Sequence, residues 1–442
     1  MICVKSACSG LLLGSLLMVS QALLAKDIAF SQKFEWDFDV DAEATIVITN
    51  YDCDIIIEPS TSNRVRFEIH LDVESKEQED IEILRNYLES LSFPARRDQV
   101  KLETTFWDSR SSNSNLGNKV IKMKLKNGKS IKLSEFNIKA TLSIPASCAL
   151  DFTTKYSTVE MTDVKELKLD SYDDKLYGKN VADEVNIVAK YSKMEFVNLG
   201  TTEMDIYDCH FTAEKTEGLT IVSKYSDINI NTAGNIDLEG YDDNMIFKTT
   251  GDIKLSTKYS DLNGNVSGNL TLNIYDSDLE IDEIGNLSIS ESKYSGYTFN
   301  KINNATISSS YDDEFSFESL GSLKVLSSKY SSYSIDQLVI SFEIPDGYDD
   351  NIKIHGISSS FTHLDVNSKY SNIALYSSSG SPLKIDWKTK YGKIDFSESD
   401  FKTRIMIKDN SEYQYEGVRG TEAENMPYVK VRGYDVKMNL NN

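Results

Sequence analysis

The sequence holds few of the residues from which disulfide, metal and catalytic sites are built. It has five cysteines, and beyond the first 25 residues only Cys53, Cys148 and Cys209 remain. An odd count at irregular spacing argues against a disulfide framework. Cys209 stands where other repeats carry Ser or Asp, which leaves room for a partly exposed thiol. The four histidines, His70, His210, His355 and His363, are scattered along the chain. His210 beside Cys209 is a poor metal pair, because adjacent residues of a strand point to opposite faces. A nucleophile elbow, a zinc-protease helix, a phosphate loop and an EF-hand loop are all missing. So is the glycine-aspartate nonapeptide of calcium-binding solenoids. The expectation is therefore no catalytic residue, no cofactor and no metal ligand. Basic residues are also in deficit, 47 Lys and Arg against 69 Asp and Glu, for a formal net charge of −22. Without a basic face, nucleic acid is excluded as a partner. The acidity suits an extracellular protein whose like-signed surface discourages edge-to-edge association. Past residue 25, no stretch reaches the length of roughly 18 apolar residues that a spanning helix requires.

What the chain does have is a repeat. One apolar column reads Ile187, Met204, Ile221, Leu238, Leu255, Leu272 and Ile289, each 17 residues after the last. Two positions earlier run Val185, Thr202, Leu219, Ile236, Ile253, Leu270 and Leu287, and seven positions later Met194, Phe211, Ile228, Met245, Leu262 and Leu279. A short fixed period marks a solenoid whose units bury apolar residues only by stacking on their neighbours. Apolar and polar residues alternate within each unit, as in Leu219-Thr220-Ile221, which is strand rather than helix periodicity. Asn, Asp, Gly and Ser between the strands supply the turns. The fold class is all-β: a single-stranded parallel β-solenoid (β-helix) of about 17 residues per coil, strands about 4.8 Å apart, with a small α+β N-terminal cap region.

Lys-Tyr-Ser alternates with Tyr-Asp-Asp along the chain. Aligned on the apolar columns, the tyrosines of the two triplets are not equivalent. Lys190, Tyr207, Lys224, Tyr241, Lys258 and Tyr275 share one column, and Tyr191, Asp208, Tyr225, Asp242, Tyr259 and Asp276 share the next. Alternation keeps like charges two coils apart, where direct neighbours would repel. It also sets ammonium groups beside aromatic faces, worth roughly 0.5–1 kcal/mol when exposed, and aspartates within reach of tyrosine hydroxyls. These twelve residues form the candidate surface ladder. It is read first as a corner that holds the coils together and second as a strip that binds an extended partner. Asp242, Asp243 and Asp276 are the nearest thing to an acid cluster, and repetition alone accounts for them.

Residues 1–25 read as a secretory signal, with Lys5, an apolar run from Leu11 to Val19, and Ala22 or Ala25 before the cleavage point. Residues 26–149 form the N-terminal strand and helix-containing capping region, and 150–442 the solenoid with lengthened C-terminal coils. Residues 46–57 fit the Tyr-Asp coil type, and the next matching coil begins at Leu150. Between them, Ser75-Lys76-Glu77-Gln78 resembles a capping box opening an amphipathic helix through Leu91, with Ile81, Leu84 and Leu88 on one face. Strands are expected over 65–73, 100–106, 120–125 and 136–144, around a polar loop at 109–118. The helix would cap the solenoid end, which otherwise exposes apolar surface and unpaired edges. The final segment, 428–435, returns to the Tyr-Asp type and is expected to supply the last coil.

The early strand within 44–57, an entry strand over 138–145 ending in Pro145, and the run of tyrosine coils resemble the bacterial family of adhesin-like envelope proteins of unknown function. This chain differs in using Tyr-Asp-Asp and Lys-Tyr-Ser where that family often has Tyr-Gly. The resemblance implies a β-solenoid that is periplasmic, outer-membrane-associated or at the bacterial cell surface, and it carries over no catalytic residue. The functional expectation is an exported, non-enzymatic, adhesin-like envelope protein with a structural or ligand-binding role, its partner a cell-surface glycan or an envelope protein. The alternative is a carbohydrate-active β-helix enzyme, a polysaccharide lyase or hydrolase.

Overall fold

The computed structural model describes residues 27–441 apart from 116, 117, 267, 379 and 410. The expected signal segment lies outside the described residues. The chain divides into two compact units. The smaller comprises residues up to 32, Leu71–Ser90 and Trp107–Asn137; the larger comprises Lys33–His70, Leu91–Phe106 and the chain from Ile138 on.

In the smaller unit a helix spans Gln78–Glu89 and buries Ile81, Leu84 and Leu88, the face expected from their spacing, against the strand Ser130–Leu133. The capping box does not form. Glu77 is the N-cap without a side-chain bond, and the Ser75 hydroxyl instead donates to the Lys132 carbonyl. The polar stretch expected as a loop is a strand, Trp107–Asn115, paired antiparallel with Asn118–Leu125. Its side chains from 108 to 114 are exposed, so it carries no apolar alternation to betray it; it is held by backbone pairing and, at its start, by Trp107 edge to face with Phe136 at 5.4 Å and Arg110 5.4 Å from the same ring.

The larger unit is a parallel β-solenoid of roughly 17–18 residues per turn. The apolar columns pair residue for residue: Ile187 with Met204, Met204 with Ile221, Ile221 with Leu238, Leu238 with Leu255, and Leu255 with Leu272. All are buried. One coil shows the pattern. Val185, Ile187 and Ala189 point inward from a first strand, the chain turns at Tyr191, and Ser192, Met194 and Phe196 point inward from a second. Leu199 closes the turn back to Thr202, the start of the next coil. The coil at Thr45–Tyr51 stacks directly on Ala149–Lys155, so the segments separated in sequence are neighbours in the stack.

From Leu287 to Leu323 the repeat lengthens to 18, the columns pairing Leu287 with Ala305 and Ala305 with Leu323. The added residue enters where the pairing of Leu272 and Asn273 shifts register. There the Ser290 hydroxyl donates to the Leu272 carbonyl at 3.0 Å. The wider coils hold stacked aromatics: Tyr297 on Phe315 at 4.6 Å and Phe315 on Tyr333 at 5.2 Å.

The segment 428–435 does not supply the last coil. Tyr428–Tyr434 lies between His363–Lys369 and Leu383–Lys390, parallel to both. The stack ends instead on Leu383–Lys390, whose far edge is covered by the antiparallel strand Glu412–Arg419, itself paired with Lys402–Lys408.

Candidate functional site: a tyrosine corner

One corner of every coil is built the same way. Sixteen non-glycine residues among those described adopt positive φ, and all belong to it: eight aspartates (Asp52, Asp173, Asp208, Asp242, Asp276, Asp312, Asp349, Asp435) alternating with eight tyrosines. Aspartate tolerates this left-handed conformation; for a tyrosine it costs roughly 1–2 kcal/mol. The corner closes with a backbone bond to the next coil, as from Tyr191 N–H to the Tyr207 carbonyl at 3.0 Å. The tyrosines gain a second compensation. Tyr191 packs on Tyr207 at 5.7 Å, Tyr207 on Tyr225 at 5.4 Å, and Tyr225 on Tyr241 at 5.6 Å, all edge to face. Such contacts are worth about 0.5–1.5 kcal/mol each, so two per ring offset the strain.

Strand-end and corner tyrosines thus merge into one column of fifteen rings. It runs from Tyr156 through Tyr348, Tyr370 and Tyr434 to Tyr391. The two kinds differ as the column alignment required. The corner tyrosines are the more exposed, Tyr191 and Tyr225 at 46%, whereas Tyr207 and Tyr275 are half-buried. Packing in the column raises the phenol pKa of Tyr191, Tyr225 and Tyr259, first by desolvation and then by the neighbouring tyrosines and aspartate.

The structure therefore brings all twelve ladder residues to one corner, with contacts that differ in part from the expected ones. Lys258 lies 6.0 Å from the Tyr275 ring and Lys155 5.4 Å from Tyr51. Elsewhere along the ladder, ring-on-ring packing takes the place of ammonium-on-ring packing. Asp208, Asp242 and Asp276 accept no tyrosine hydroxyl; their role is to occupy the left-handed turn.

A third column, just inside the corner, escaped the sequence reading. It holds Ser157, Asp174, Ser192, Cys209, Ser226, Asp243, Ser260, Ser277, Ser295, Asp313, Ser331, Asp350 and Ser371, all buried. Backbone N–H groups donate along it from coil to coil: Ser157 to Asp174 at 2.8 Å, Asp174 to Ser192 at 3.2 Å, Ser226 to Asp243 at 2.9 Å, and Asp243 to Ser260 at 3.1 Å. Each hydroxyl in turn donates back to its own coil, as Ser192 does to the Lys190 carbonyl at 2.9 Å. The signal was present in the third letter of the triplets, almost always Ser, Asp or Cys, small enough for the corner and able to accept a backbone hydrogen bond.

This column overturns one sequence expectation and accounts for Asp243 within the acid group that repetition explains. Cys209 is buried, not partly exposed, and burial pushes its thiol pKa up; the same cause takes that of Cys53 to about 12. Asp243 cannot join Asp242 in a surface acid cluster. It points inward and accepts from Ser223 Oγ, Ser226 N–H and Tyr241 N–H. Burial raises the carboxyl pKa of Asp174, Asp243 and Asp313 against those hydrogen bonds, and that of Asp350 to about 6. Among the described residues no three His, Cys, Asp or Glu side chains come together as a metal-binding group. Two shallow clefts of about 640 and 580 Å³ lie over Thr201, Thr220 and their neighbours, away from the tyrosines.

No family model and no curated protein matches the chain. Among solved structures it is similar to an adhesin candidate from Bacteroides fragilis, with 13% identity over 61% of this chain and 97% of that one, at a TM-score of 0.25. It is likewise similar to an adhesin candidate from Parabacteroides merdae (11% identity, 69% and 96% covered, TM-score 0.23). A lipid-binding candidate from Parabacteroides distasonis is similar to the same extent (11%, 69% and 96%, TM-score 0.21). These neighbours are of the kind the sequence resembles; at such TM-scores nothing about ligands or activity passes from them to this chain. No helix among the described residues is long and apolar enough to cross a membrane.

Proposed function

We propose that this is an exported, non-enzymatic envelope protein of the adhesin-like kind, periplasmic or at the cell surface, whose coils form a stiff structural or ligand-binding surface. The observation that carries this reading is the unbroken tyrosine column. Every coil repeats one corner, and the acids at it serve the turn or the interior hydrogen bonds. A catalytic carboxylate would be a local departure from the repeat, and Asp242, Asp243 and Asp276 follow it. Repeat proteins use such regular surfaces to hold extended partners, and a surface glycan or an envelope protein strand fits the spacing of rings, ammonium groups and carboxylates.

A glycan array run beside a lyase and hydrolase screen on the same polysaccharides tests this. Binding without turnover is expected. Turnover abolished by Asp242→Asn would establish the carbohydrate-active alternative instead. The corner's own weight is read from the double variant Tyr241→Ala with Lys224→Ala, expected to lower the melting temperature more than any binding, because Tyr241 holds two ring contacts. An unchanged melting temperature with lost glycan or cell attachment would make the ladder a binding strip first and a structural one second.

A further inference from the structure

The two outermost strands of the coil stack are finished differently. At one end, the edge of Gln99–Glu103 is covered: Ala95 bridges to Val100, Arg96 N–H donates to the Gln99 carbonyl, and Lys101 N–H donates to the Pro94 carbonyl. Proline and a folded-back segment are common protections of a sheet edge. At the other end, Lys402–Lys408 is paired on one side only, with Glu412–Arg419, among the described residues. None of its seven side chains is buried; Met406 and Ile407 are 45% and 48% exposed, and only Ile405 is partly covered. A strand with both faces in water and one row of backbone groups unpaired is a template for another strand.

Charge selects the occupant. Lys402 and Lys408 bracket the apolar Ile405-Met406-Ile407, and the guanidinium between them, Arg404, is held by Glu422. A second copy pairing antiparallel about Ile405 would set Lys402 against Lys408 twice, and like charges directly opposite are destabilising. We propose that Lys402–Lys408 is an acceptor edge for an extended segment of another protein, with acidic residues at both ends and alternating β-branched residues between them. That segment adds as one more strand. Its main chain takes the free N–H and C=O groups, its carboxylates meet Lys402 and Lys408, and its β-branched side chains cover Met406 and Ile407. The proposal is independent of whether the tyrosine corner binds anything.

The test uses the full chain and two labelled, end-capped nonapeptides of alternating Thr and Val, one with Glu at each end and the other with Lys. Fluorescence polarisation should show saturable binding of the Glu peptide, with the Lys peptide at least tenfold weaker. The double variant Lys402→Glu with Lys408→Glu should reverse the preference. Met406→Pro should abolish both at an unchanged melting temperature; if that variant loses its fold, the charge reversal decides. No binding of the Glu peptide, equal affinity for both peptides, or no reversal would overturn the proposal. So would a concentration-dependent dimer in sedimentation that disappears with Met406→Pro, since the edge would then belong to a second copy.

Discussion

In the middle coils, from Val185 to Tyr275, each strand lies on the one that precedes it by one repeat, and Lys-Tyr coils alternate with Tyr-Asp coils in sequence order. In the closing coils the order in space and the order in sequence part company. The coil of Lys369-Tyr370 is followed along the chain by that of Lys390-Tyr391, two of the same type in succession. In the fold they never touch. Tyr434-Asp435, arriving from the end of the chain, sits between them, so the tyrosine column continues from Tyr370 to Tyr434 to Tyr391 at 5.5 and 5.3 Å. The corner alternation is therefore kept in space where the order in sequence breaks it. Where duplication fails to provide it, the chain crosses over to restore it. The physical cause is the same in both regions. Two adjacent Lys-Tyr coils would set ammonium groups side by side at strand spacing and two left-handed tyrosines in succession without the half-buried ring between them.

The largest effect should come from the core that both regions share. Leu238 stacks between Ile221 and Leu255 and is fully enclosed, so Leu238→Ala should cost about 2–5 kcal/mol, read as a fall in the urea midpoint. Because neighbouring coils carry one another's stability, hydrogen exchange should show the loss spreading over adjacent coils. A loss confined to the coil of Leu238 would mean that the middle coils are less coupled than their uniform register implies.

At the junction of the two regions stands Asp350, whose carboxyl accepts from Ser328 Oγ, Ser331 N–H and Tyr348 N–H and whose own N–H donates to Ser371 Oγ. Its pKa is raised from 3.8 to about 6, burial outweighing the donors. A carboxyl raised in the folded state favours folding when protonated. Its contribution is complete below about pH 4 and is lost as pH rises through 6. That difference corresponds to on the order of 3 kcal/mol. The stability of the unmodified chain relative to Asp350→Asn should thus grow on going from pH 7 to pH 4, measured as paired denaturation midpoints. A difference independent of pH would mean that the three donors hold the buried carboxylate ionised throughout.

The core was legible in the sequence because inward residues are apolar and spaced by two within strands. The first and third apolar columns are buried at every position from Ile187 to Ile289 and from Met194 to Leu279. The corner was legible as a pair of columns but not as a stack of rings, since Tyr191 and Tyr207 occupy different backbone positions and only their side chains converge. The interior Ser and Asp column is hidden in the sequence because polar residues of a half-buried strand ordinarily face water. Asp243 looks like a second surface acid until its hydrogen bonds are counted. The strand at Trp107–Asn115 is hidden for the opposite reason: nothing in a hairpin arm exposed from 108 to 114 requires alternation. The place of Tyr428–Tyr434 departs from chain order, and its sequence signal is two successive Lys-Tyr coils and one Tyr-Asp segment left over at 434–435.

The alternation itself can be broken at one place in each region. Tyr434→Lys combined with Asp435→Tyr converts the inserted coil to the Lys-Tyr type and sets a lysine between Lys369 and Lys390, its partners on either side. Two new like-charge neighbours at about 0.2–1 kcal/mol each make the expected cost about 0.4–2 kcal/mol. The matching exchange, Tyr241→Lys with Asp242→Tyr, places a lysine against Lys258 and should cost a similar amount. The consequences should differ. A middle coil is joined to its neighbours through the chain on both sides and can only be strained in place, lowering the midpoint of the whole stack. The inserted strand is held between its neighbours by pairing, by its buried Val429 and Val431 and by the ion pairs Lys430–Asp365 and Arg432–Asp386, not by chain connections to them, so its exchange should appear as lost amide protection over 428–441, with the middle coils untouched. Raised salt should recover part of the loss in both, since the new repulsion is between exposed charges. If neither exchange moves a midpoint or a protection factor, the alternation is a relic of repeat duplication, and the position of Tyr428–Tyr434 must rest on its buried Val429 and Val431 and on its ion pairs to Asp365 and Asp386.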